Sequence, residues 1–287
     1  MELIAQIQLK DPGFNKSLNE GHAAALQLGT DGVQLCIVTK NDNKVQYFEK
    51  WSYEGNEPLF PGNIGDIINA LPSQIPWLSG GNTDLKVFID APSYALVPSV
   101  FYDSSLKESY LKLQHPAKVS GEWIYQDNIE SLEAMLVYSL PLSVENRIHS
   151  FFPKAVIQHL RTMWLTETVK MSQDLQSQKN TVIYAEKEKI ELALFVSGKL
   201  IFSNEFSYKS YDDLIYFILL ALNKNGFNPS ESTFMLCGPA ADQSLMLELK
   251  AFIPEITPLE IPAKYVFSSV FRKAPIHQFF PLIIALS

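Results

Sequence analysis

A short turn near the amino terminus combines the residue types that a phosphate site needs. Gly29, Thr30, Asp31 and Gly32 join two apolar runs. Glycines let backbone N–H groups approach a phosphate closely, and a hydroxyl and a carboxylate suit a magnesium ion or an attacking water. The same four residues also suit a type I′ hairpin turn, which is common and needs no ligand. We favour the hairpin.

Three further carboxylates, Asp90, Glu186 and Asp242, follow expected strands or begin an expected helix, as Asp31 does. Such positions face a central cleft, where two carboxylates act together as general acid and base. Turn and helix-cap roles account for each residue equally well. Because nothing in the sequence pairs them, we predict no catalytic residue.

The remaining chemistry-bearing residues form no recognisable motif. Cys36 and Cys237 lie far apart inside apolar runs, which is typical of buried thiols in a reducing compartment. There is no Gly-x-Ser-x-Gly elbow, Walker A loop or Gly-x-Gly-x-x-Gly motif. The histidines lack metal-ligand spacing and stand at His22, His115, His149, His159 and His277. We predict no metal site.

Composition and charge restrict the partners. The 287 residues carry 23 Lys and Arg against 31 Asp and Glu, a net charge of −8, so nucleic acid and anionic membranes are disfavoured. No apolar run reaches the roughly 18 residues of a membrane span, and Glu2 argues against a signal peptide. We expect a cytoplasmic protein without membrane insertion.

The order strand, strand, strand, helix, strand is predicted twice, about 150 residues apart. The first set of elements is 23–28, 33–38, 45–51, 62–71 and 85–89. The second set is 181–185, 190–196, 199–208, 212–223 and 233–237, with Ser210 as the expected cap of its helix. Each set predicts a mixed sheet covered by helices.

A different pattern separates the two sets. Strands are predicted at 121–129 and 132–140, and helices at 144–151 and 155–176. We therefore divide the chain into a first lobe (1–119), an inserted subdomain with a connecting helix (120–179) and a second lobe (180–287). The apolar end, 279–286, is predicted to be a closing strand, with a docking peptide as the alternative.

Several short segments in this order carry a family resemblance. They are 14–38, 96–98, 198–206, 212–216, 236–238 and 277–282. Through them the chain resembles the DUF3822 family of uncharacterised Bacteroidetes proteins, and its repeated unit resembles the actin-like ATPase superfamily. The resemblance implies an α/β, duplicated, ribonuclease H-like fold, with two mixed sheets flanked by helices. It also implies kinship with actin-like scaffold domains of bacterial pilus and secretion machinery.

An actin-like protein that binds ATP and magnesium holds the phosphates between two hairpin turns and the adenosine against glycines. The candidates for this role are Gly29, Thr30, Asp31, Gly32 and Gly238. The second turn, 186–189, has no glycine and carries two acids that repel a phosphate. Gly238 is followed by Pro239, which has no N–H. We therefore predict no cofactor, with ATP and magnesium as the alternative.

These observations favour a non-enzymatic interaction or scaffold module with a protein or peptide partner. The partner is expected in the central cleft or on the inserted subdomain, where Trp123, Tyr125 and Tyr138 lie on strands that can accept another strand. The alternative is an ATP-binding or ATP-hydrolysing domain that uses Thr30 and Asp31. The oligomeric state stays open.

Overall fold

Fourteen strands and seven α-helices are assigned in a computed structural model that describes residues 3–30, 32–53, 64–79, 83–114, 122–175 and 177–286. The strands are β1 (Leu3–Lys10), β2 (His22–Gly29), β3 (Gly32–Thr39), β4 (Val45–Tyr53), β5 (Asp84–Ile89), β6 (Tyr94–Pro98), β7 (Trp123–Ile129), β8 (Ala134–Leu140), β9 (Val156–His159), β10 (Lys179–Ala185), β11 (Lys189–Val196), β12 (Lys199–Ser207), β13 (Thr233–Cys237) and β14 (Thr257–Pro258). The helices are α1 (Ile64–Gln74), α2 (Lys107–Gln114), α3 (Leu142–Phe151), α4 (Leu160–Asp174), α5 (Tyr211–Lys224), α6 (Gln243–Lys250) and α7 (Phe280–Ile284).

The two large sheets share one strand order. The first runs β1-β4-β3-β2-β5-β9, and the second runs β12-β11-β10-β13-β14. In each, three antiparallel strands are followed by a helix that returns the chain to a strand parallel to the first of the three. The repeated order predicted from the sequence is therefore present, and β1 is an additional strand that the sequence reading did not predict.

The central strands are continuous apolar runs because helices cover both faces of each sheet. Residues 23–29 of β2 and 33–38 of β3 are buried throughout, as is most of β10 and β11. In the second lobe, α5 places Leu214, Ile218 and Leu222 on the sheet. Ser210 caps this helix as predicted, since its Oγ accepts a hydrogen bond from the Asp213 N–H at 3.2 Å.

The carboxyl-terminal segment is a buried helix, so the predicted closing strand is wrong. Residues 276–279 form a 3₁₀ turn that leads into α7. Phe279 stacks on Phe48 of β4 with ring centroids 3.5 Å apart. Five consecutive residues of α7 are buried because the helix packs against β2, β3 and α4, which exclude water on several sides. Pro281 is tolerated because it stands in the first turn.

The predicted helix at 155–176 begins later than expected. Val156–His159 is strand β9, which extends the first sheet beside β5, and helix α4 starts at Leu160. The small sheet has the order β6-β8-β7, so one of its strands precedes residue 120 and two follow it. The division at residues 119 and 179 stays a prediction. Helix α4 packs against both large sheets, with Trp164 fully buried between them.

Candidate functional site

The hairpin turns of the two lobes touch each other. Thr30 Oγ1, in the turn between β2 and β3, donates a hydrogen bond to Glu186 Oε2 at 3.0 Å. Beside this contact, Gln27 Nε2 donates to the Tyr184 hydroxyl at 2.9 Å, again from one lobe to the other. Asp31 lies outside the described residues. The space between the turns is therefore bridged by protein side chains.

The first turn has glycines for reasons of packing. Gly29 pairs with Gly32 across the hairpin, which leaves two residues in the loop. Gly32 has φ of 121°, and a Cβ there would lie 2.0 Å from the Trp51 carbonyl oxygen of β4. A Cβ on Gly29 would lie 3.1 Å from Glu186 Oε1. Close contact with the Trp51 backbone thus accounts for Gly32, whereas the neighbours of Gly29 are the ends of the Gln27 and Glu186 side chains. Thr30 does not have the positive φ that the type I′ turn of the sequence prediction requires.

Behind the turns, Lys189 lies among three carboxylates. Its Nζ is 2.5 Å from Asp90, 3.3 Å from Glu186 and 3.2 Å from Glu205. Asp90 follows β5 of the first lobe, whereas the other three residues belong to the second. Burial lowers the pKa of Lys189, but the three carboxylates outweigh it and hold that pKa well above its usual value. The lysine is therefore a permanent cation that joins the lobes.

A second buried ion pair lies next to the first. Arg161, in the first turn of α4, has its Nε 2.8 Å from Glu191 Oε1 on β11. Its Nη2 donates to Ser203 Oγ at 2.8 Å, and its Nη1 donates to the Tyr94 hydroxyl. Burial raises the pKa of Glu191 to about 7, against the opposing effect of Arg161. The guanidinium thus connects α4, β6, β11 and β12.

His159 is a structural residue rather than a ligand. Its Nδ1 accepts the Arg161 N–H at 3.0 Å, and its Nε2 donates to the Ala91 carbonyl at 2.9 Å. Its backbone N–H and the Thr162 hydroxyl both donate to one oxygen of Asp127 on β7, at 2.8 and 2.7 Å. Complete burial lowers the pKa of His159 to about 4, so the ring is neutral.

We call this group the inner junction: Thr30, Asp90, Arg161, Glu186, Lys189, Glu191 and Glu205. The cavity that remains among its residues has a volume of about 10 Å³. That volume holds no more than a single water molecule. The inner junction therefore connects the lobes and leaves no room there for a triphosphate.

The turn after β13 resembles a nucleotide site only in its glycine. Gly238 has φ of 104°, and a Cβ there would lie 2.5 Å from the Ala185 carbonyl oxygen. Its N–H donates to the His277 carbonyl at 3.2 Å, and the Ala240 N–H donates to the Ala185 carbonyl at 3.0 Å. Two amides of this turn are thus already bonded within the protein.

The candidate carboxylates separate into two groups. Asp90 and Glu186 come together, but on Lys189, which neutralises them. Asp242 is the cap of α6, where it accepts the Leu245 N–H at 2.8 Å. Within the described ranges, no group of three or more His, Cys, Asp or Glu side chains is placed to hold a metal ion.

Outside the inner junction the lobes separate into an open cavity of about 820 Å³. We call it the outer cleft and define it by Lys50, Lys187 and Lys209, which line it together with Thr30 and Pro239. Lys50 Nζ, from β4, donates to the Pro239 carbonyl at 3.2 Å and so spans the two lobes. The Thr30–Glu186 contact marks the boundary between the inner junction and the outer cleft.

Comparison with known proteins identifies the family. The family described as "Protein of unknown function (DUF3822)" matches residues 14–256. The chain belongs to the DUF3822 family. No curated protein matches this DUF3822 chain in sequence.

Solved structures show the fold of this DUF3822 chain. A Bacteroides thetaiotaomicron protein with an actin-like ATPase fold and unknown function has 18% identity and a TM-score of 0.72, covering 93% of this chain and 98% of that one. The PilM–PilN type IV pilus biogenesis complex has 10% identity and a TM-score of 0.57, covering 92% of this chain and 97% of that one. The ethanolamine utilization protein EutJ of Carboxydothermus hydrogenoformans has 11% identity and a TM-score of 0.51, covering 94% of this chain and 91% of that one. The chain has the actin-like ATPase fold. None of its described helices has the length and hydropathy that crossing a bilayer requires.

Sequence reasoning about this DUF3822 chain missed the basic half of the inner junction. From the sequence alone, Lys189 belongs to the charged turn 186–189, and no role is predicted for Arg161 or Glu191. A signal was available, since Glu191 interrupts an otherwise apolar predicted strand and Arg161 stands beside Leu160, Met163 and Trp164 in a predicted helix. Charges are rarely buried unless they are paired, so a glutamate inside an apolar strand indicates a buried partner of opposite charge.

Proposed function

We propose that this protein is a non-enzymatic interaction or scaffold module whose actin-like fold no longer binds a nucleotide. The observation that carries the proposal is the direct hydrogen bond from Thr30 to Glu186, 3.0 Å long, between the two turns that would otherwise enclose phosphates. A phosphate between these turns would have to break that bond and approach a buried carboxylate, which is costly. The fold would then serve to present surfaces.

Two further features support the loss of the nucleotide site. The turn 186–189 has no glycine, and Lys189 is committed to Asp90, Glu186 and Glu205. The amides at Gly238 and Ala240 donate to carbonyl groups of the protein. An electrostatic site for phosphate needs donors that are available to it.

Protein binding by this fold has a precedent among the structural neighbours, since PilM forms a complex with PilN. Of the two surfaces expected from the sequence, the cleft has the better support. In the small sheet Tyr138 is buried and the Tyr125 hydroxyl donates to Glu145 at 2.5 Å, which leaves Trp123, 60% exposed, as the accessible aromatic of the three. The cleft, by contrast, is open and lined by both lobes.

A bacterial cytoplasm fits this proposal. Cys36 and Cys237 are free thiols on separate strands, and burial raises the pKa of each. Buried, protonated cysteines are compatible with a reducing compartment. The shared strand order of the two sheets fits an internal duplication of a ribonuclease H-like unit, which belongs to the same proposal.

Thermal unfolding with increasing Mg-ATP tests the nucleotide part. A ligand of the folded state at 100 times its Kd stabilises by about 2.7 kcal/mol. We expect a melting temperature that does not respond to Mg-ATP beyond the response to magnesium chloride of equal ionic strength. A rise that grows with nucleotide concentration and is lost in Thr30→Val and Asp31→Ala variants would establish the alternative, an ATP-binding domain.

A further inference from the structure

We propose that two copies of this chain associate through the exposed face of α5, with the two helices antiparallel. Such self-association goes beyond the proposed function, since it does not depend on whether a nucleotide binds. Helix α5 follows the three antiparallel strands of the second lobe, as α1 follows those of the first, so the two helices occupy equivalent positions in the repeated order. Their exposed faces can therefore be compared directly.

The two equivalent helices expose different kinds of side chain. On α1 the exposed side chains are all polar, and they are Asp66, Asn69, Ser73 and Gln74. Beyond its first turn, α5 instead exposes two large apolar side chains, Tyr216, which is 60% exposed, and Leu220, which is 38% exposed. A surface helix normally presents polar residues to water. Helix α5 therefore carries apolar surface that packing within the described part of the chain leaves uncovered.

The two apolar side chains belong to a ridge with charged ends. Asp212, Tyr216, Leu220 and Lys224 are spaced by four residues, so they form one ridge along α5. All four side chains are exposed. Within the part of the chain that the structure describes, neither Asp212 nor Lys224 takes part in an ion pair. The ridge thus runs from an acid, across two apolar side chains, to a base.

This order of residues is complementary to itself. When a second copy of α5 runs antiparallel about an axis midway between Tyr216 and Leu220, Asp212 of each copy meets Lys224 of the other, and Tyr216 meets Leu220. A parallel arrangement would place like charges together. Ridges of side chains spaced by four pack into one another in the commonest class of helix pair. Charge and apolar surface therefore both favour the antiparallel pair.

Other occupants fit this ridge less well than a second copy does. An acidic partner would be repelled by Asp212, and a basic partner would be repelled by Lys224. A wholly apolar partner would cover both charges without pairing them, which is costly. A second copy pairs both charged ends with residues that the chain already has.

The contact is expected to be reversible. A pair of single helices buries less than the roughly 1,200–2,000 Å² of a standard protein interface. Both copies also carry a net charge of −8, which opposes association. Apolar exposure continues on α6, which packs beside α5 and has Leu247 63% exposed. We therefore expect an equilibrium between monomer and dimer rather than a permanent dimer.

Sedimentation equilibrium of the full chain, from about 1 µM to about 1 mM, measures this self-association. We expect the mass to rise from monomer towards dimer and no further, because a twofold contact closes on itself. A Tyr216→Ser and Leu220→Ser double variant should associate about a hundredfold more weakly, since each lost side chain counts twice in the interface. The matched control is Leu113→Ser, which removes an exposed leucine of α2 and should associate as the wild type does.

Charge variants test the antiparallel arrangement. Asp212→Lys and Lys224→Glu each place like charges at both ends of the contact, so each variant alone should associate about tenfold more weakly. An equimolar mixture of the two should recover the association of the wild type, because every charge then meets its opposite in the other chain. The control is Asp66→Lys, which reverses an exposed acid in the first turn of α1 and should leave association unchanged.

Three results would each overturn the antiparallel α5 pair. They are a chain that stays monomeric up to about 1 mM, a folded double serine variant that associates as the wild type does, and a mixture of the two charge variants that associates no better than either alone. Thermal unfolding checks that each variant is folded. None of these results concerns nucleotide binding, which the titration with Mg-ATP tests separately, so the scaffold function can stand or fail independently.

Discussion

The inner junction and the outer cleft lie on the same interface between two similar lobes, yet they treat charge in opposite ways. In the inner junction, two cations and four carboxylates form ion pairs, and the Lys189–Asp90 pair joins the second lobe to the first. In the outer cleft, three lysines of one sign surround open space. Buried charges must be paired to be tolerated, whereas exposed charges remain solvated by water.

This difference shows how the interface of an actin-like fold can lose a nucleotide site while the strand order of its two sheets is kept. Because the Thr30–Glu186 hydrogen bond occupies the space between the turns and Lys189 lies behind them, the lobes are joined by their own side chains. The outer rim is then the part of the interface that stays open to a ligand. The variants below test whether the two regions are as separate as their geometry indicates.

The largest expected effect is the loss of the central cation. Lys189→Met would leave Asp90, Glu186 and Glu205 close together without the cation that they share. Removing one partner of a buried ion pair costs about 3–5 kcal/mol, because the remaining charge stays desolvated. Urea unfolding should show this loss.

The control for that variant is a lysine of the outer cleft. Lys209→Met removes an exposed side chain that lines this cavity, so it should change the free energy of unfolding by no more than about 0.5 kcal/mol. Equal losses for the two variants would contradict the separation of the regions.

The next effect concerns pH and the two groups with opposite pKa shifts. The folded state raises the pKa of Glu191 from 4.5 to about 7, so between these values it binds a proton that the unfolded state lacks. Stability from Glu191 is therefore present below pH 4.5 and is lost as pH rises through 7. His159 has its pKa lowered from 6.5 to about 4, so its stability is present above pH 6.5 and lost as pH falls through 4.

Glu191 and His159 each change the free energy of unfolding by about 1.4 kcal/mol per pH unit. The two changes have opposite signs, so they cancel in the wild type where their pH ranges overlap. Single variants should reveal them. In Glu191→Gln the free energy of unfolding should rise with pH between 4.5 and 6.5, and in His159→Gln it should fall over the same range. Denaturant unfolding at a series of pH values measures both slopes, and curves parallel to that of the wild type would refute the assignment.

A smaller loss is expected at Gly238. Gly238→Ala would place a methyl group 2.5 Å from the Ala185 carbonyl oxygen and force φ of 104° on a residue with a side chain. We expect a destabilisation of about 1–3 kcal/mol. Gly226→Ala is the matched control, since its φ of 69° is also positive but no atom lies within 4 Å of the added Cβ. A smaller loss at 238 than at 226 in thermal unfolding would show that the close backbone contact is not limiting.

Local sequence patterns predicted most of the strands and helices. The inner junction, by contrast, is formed by residues that lie far apart in the sequence. The period of apolar residues located α5, and Ser210 was recognised as its cap because capping depends on residues three apart. Strand β1 was missed because it depends on pairing with β4, whose paired residues lie about 37 to 50 positions later in the chain. The pairing of Arg161 with Glu191 depends likewise on bringing α4 onto β11, which no local pattern specifies.

The carboxyl-terminal helix is a second case that the local sequence does not predict. A short apolar run fits a buried strand or a buried helix equally well, since periodicity cannot distinguish them. In the fold, α7 lies against β2, β3 and α4, where no strand edge of the first sheet is available to it. Packing therefore selected the helix, and Gly32 is likewise explained by the Trp51 backbone, which only the folded chain brings next to it.

The smallest expected effect on stability is that of a variant in the outer cleft. It is the clearest comparison with the large loss expected for the inner junction. Lys209→Glu reverses an exposed charge just before the cap of α5, where a negative charge favours the helix dipole. The free energy of unfolding should therefore stay within about 0.5 kcal/mol of the wild type, as it should for Lys154→Glu, which reverses an exposed lysine in the loop after α3. A stability loss like that of Lys189→Met would mean that the outer lysines, too, are part of the structure that joins the lobes.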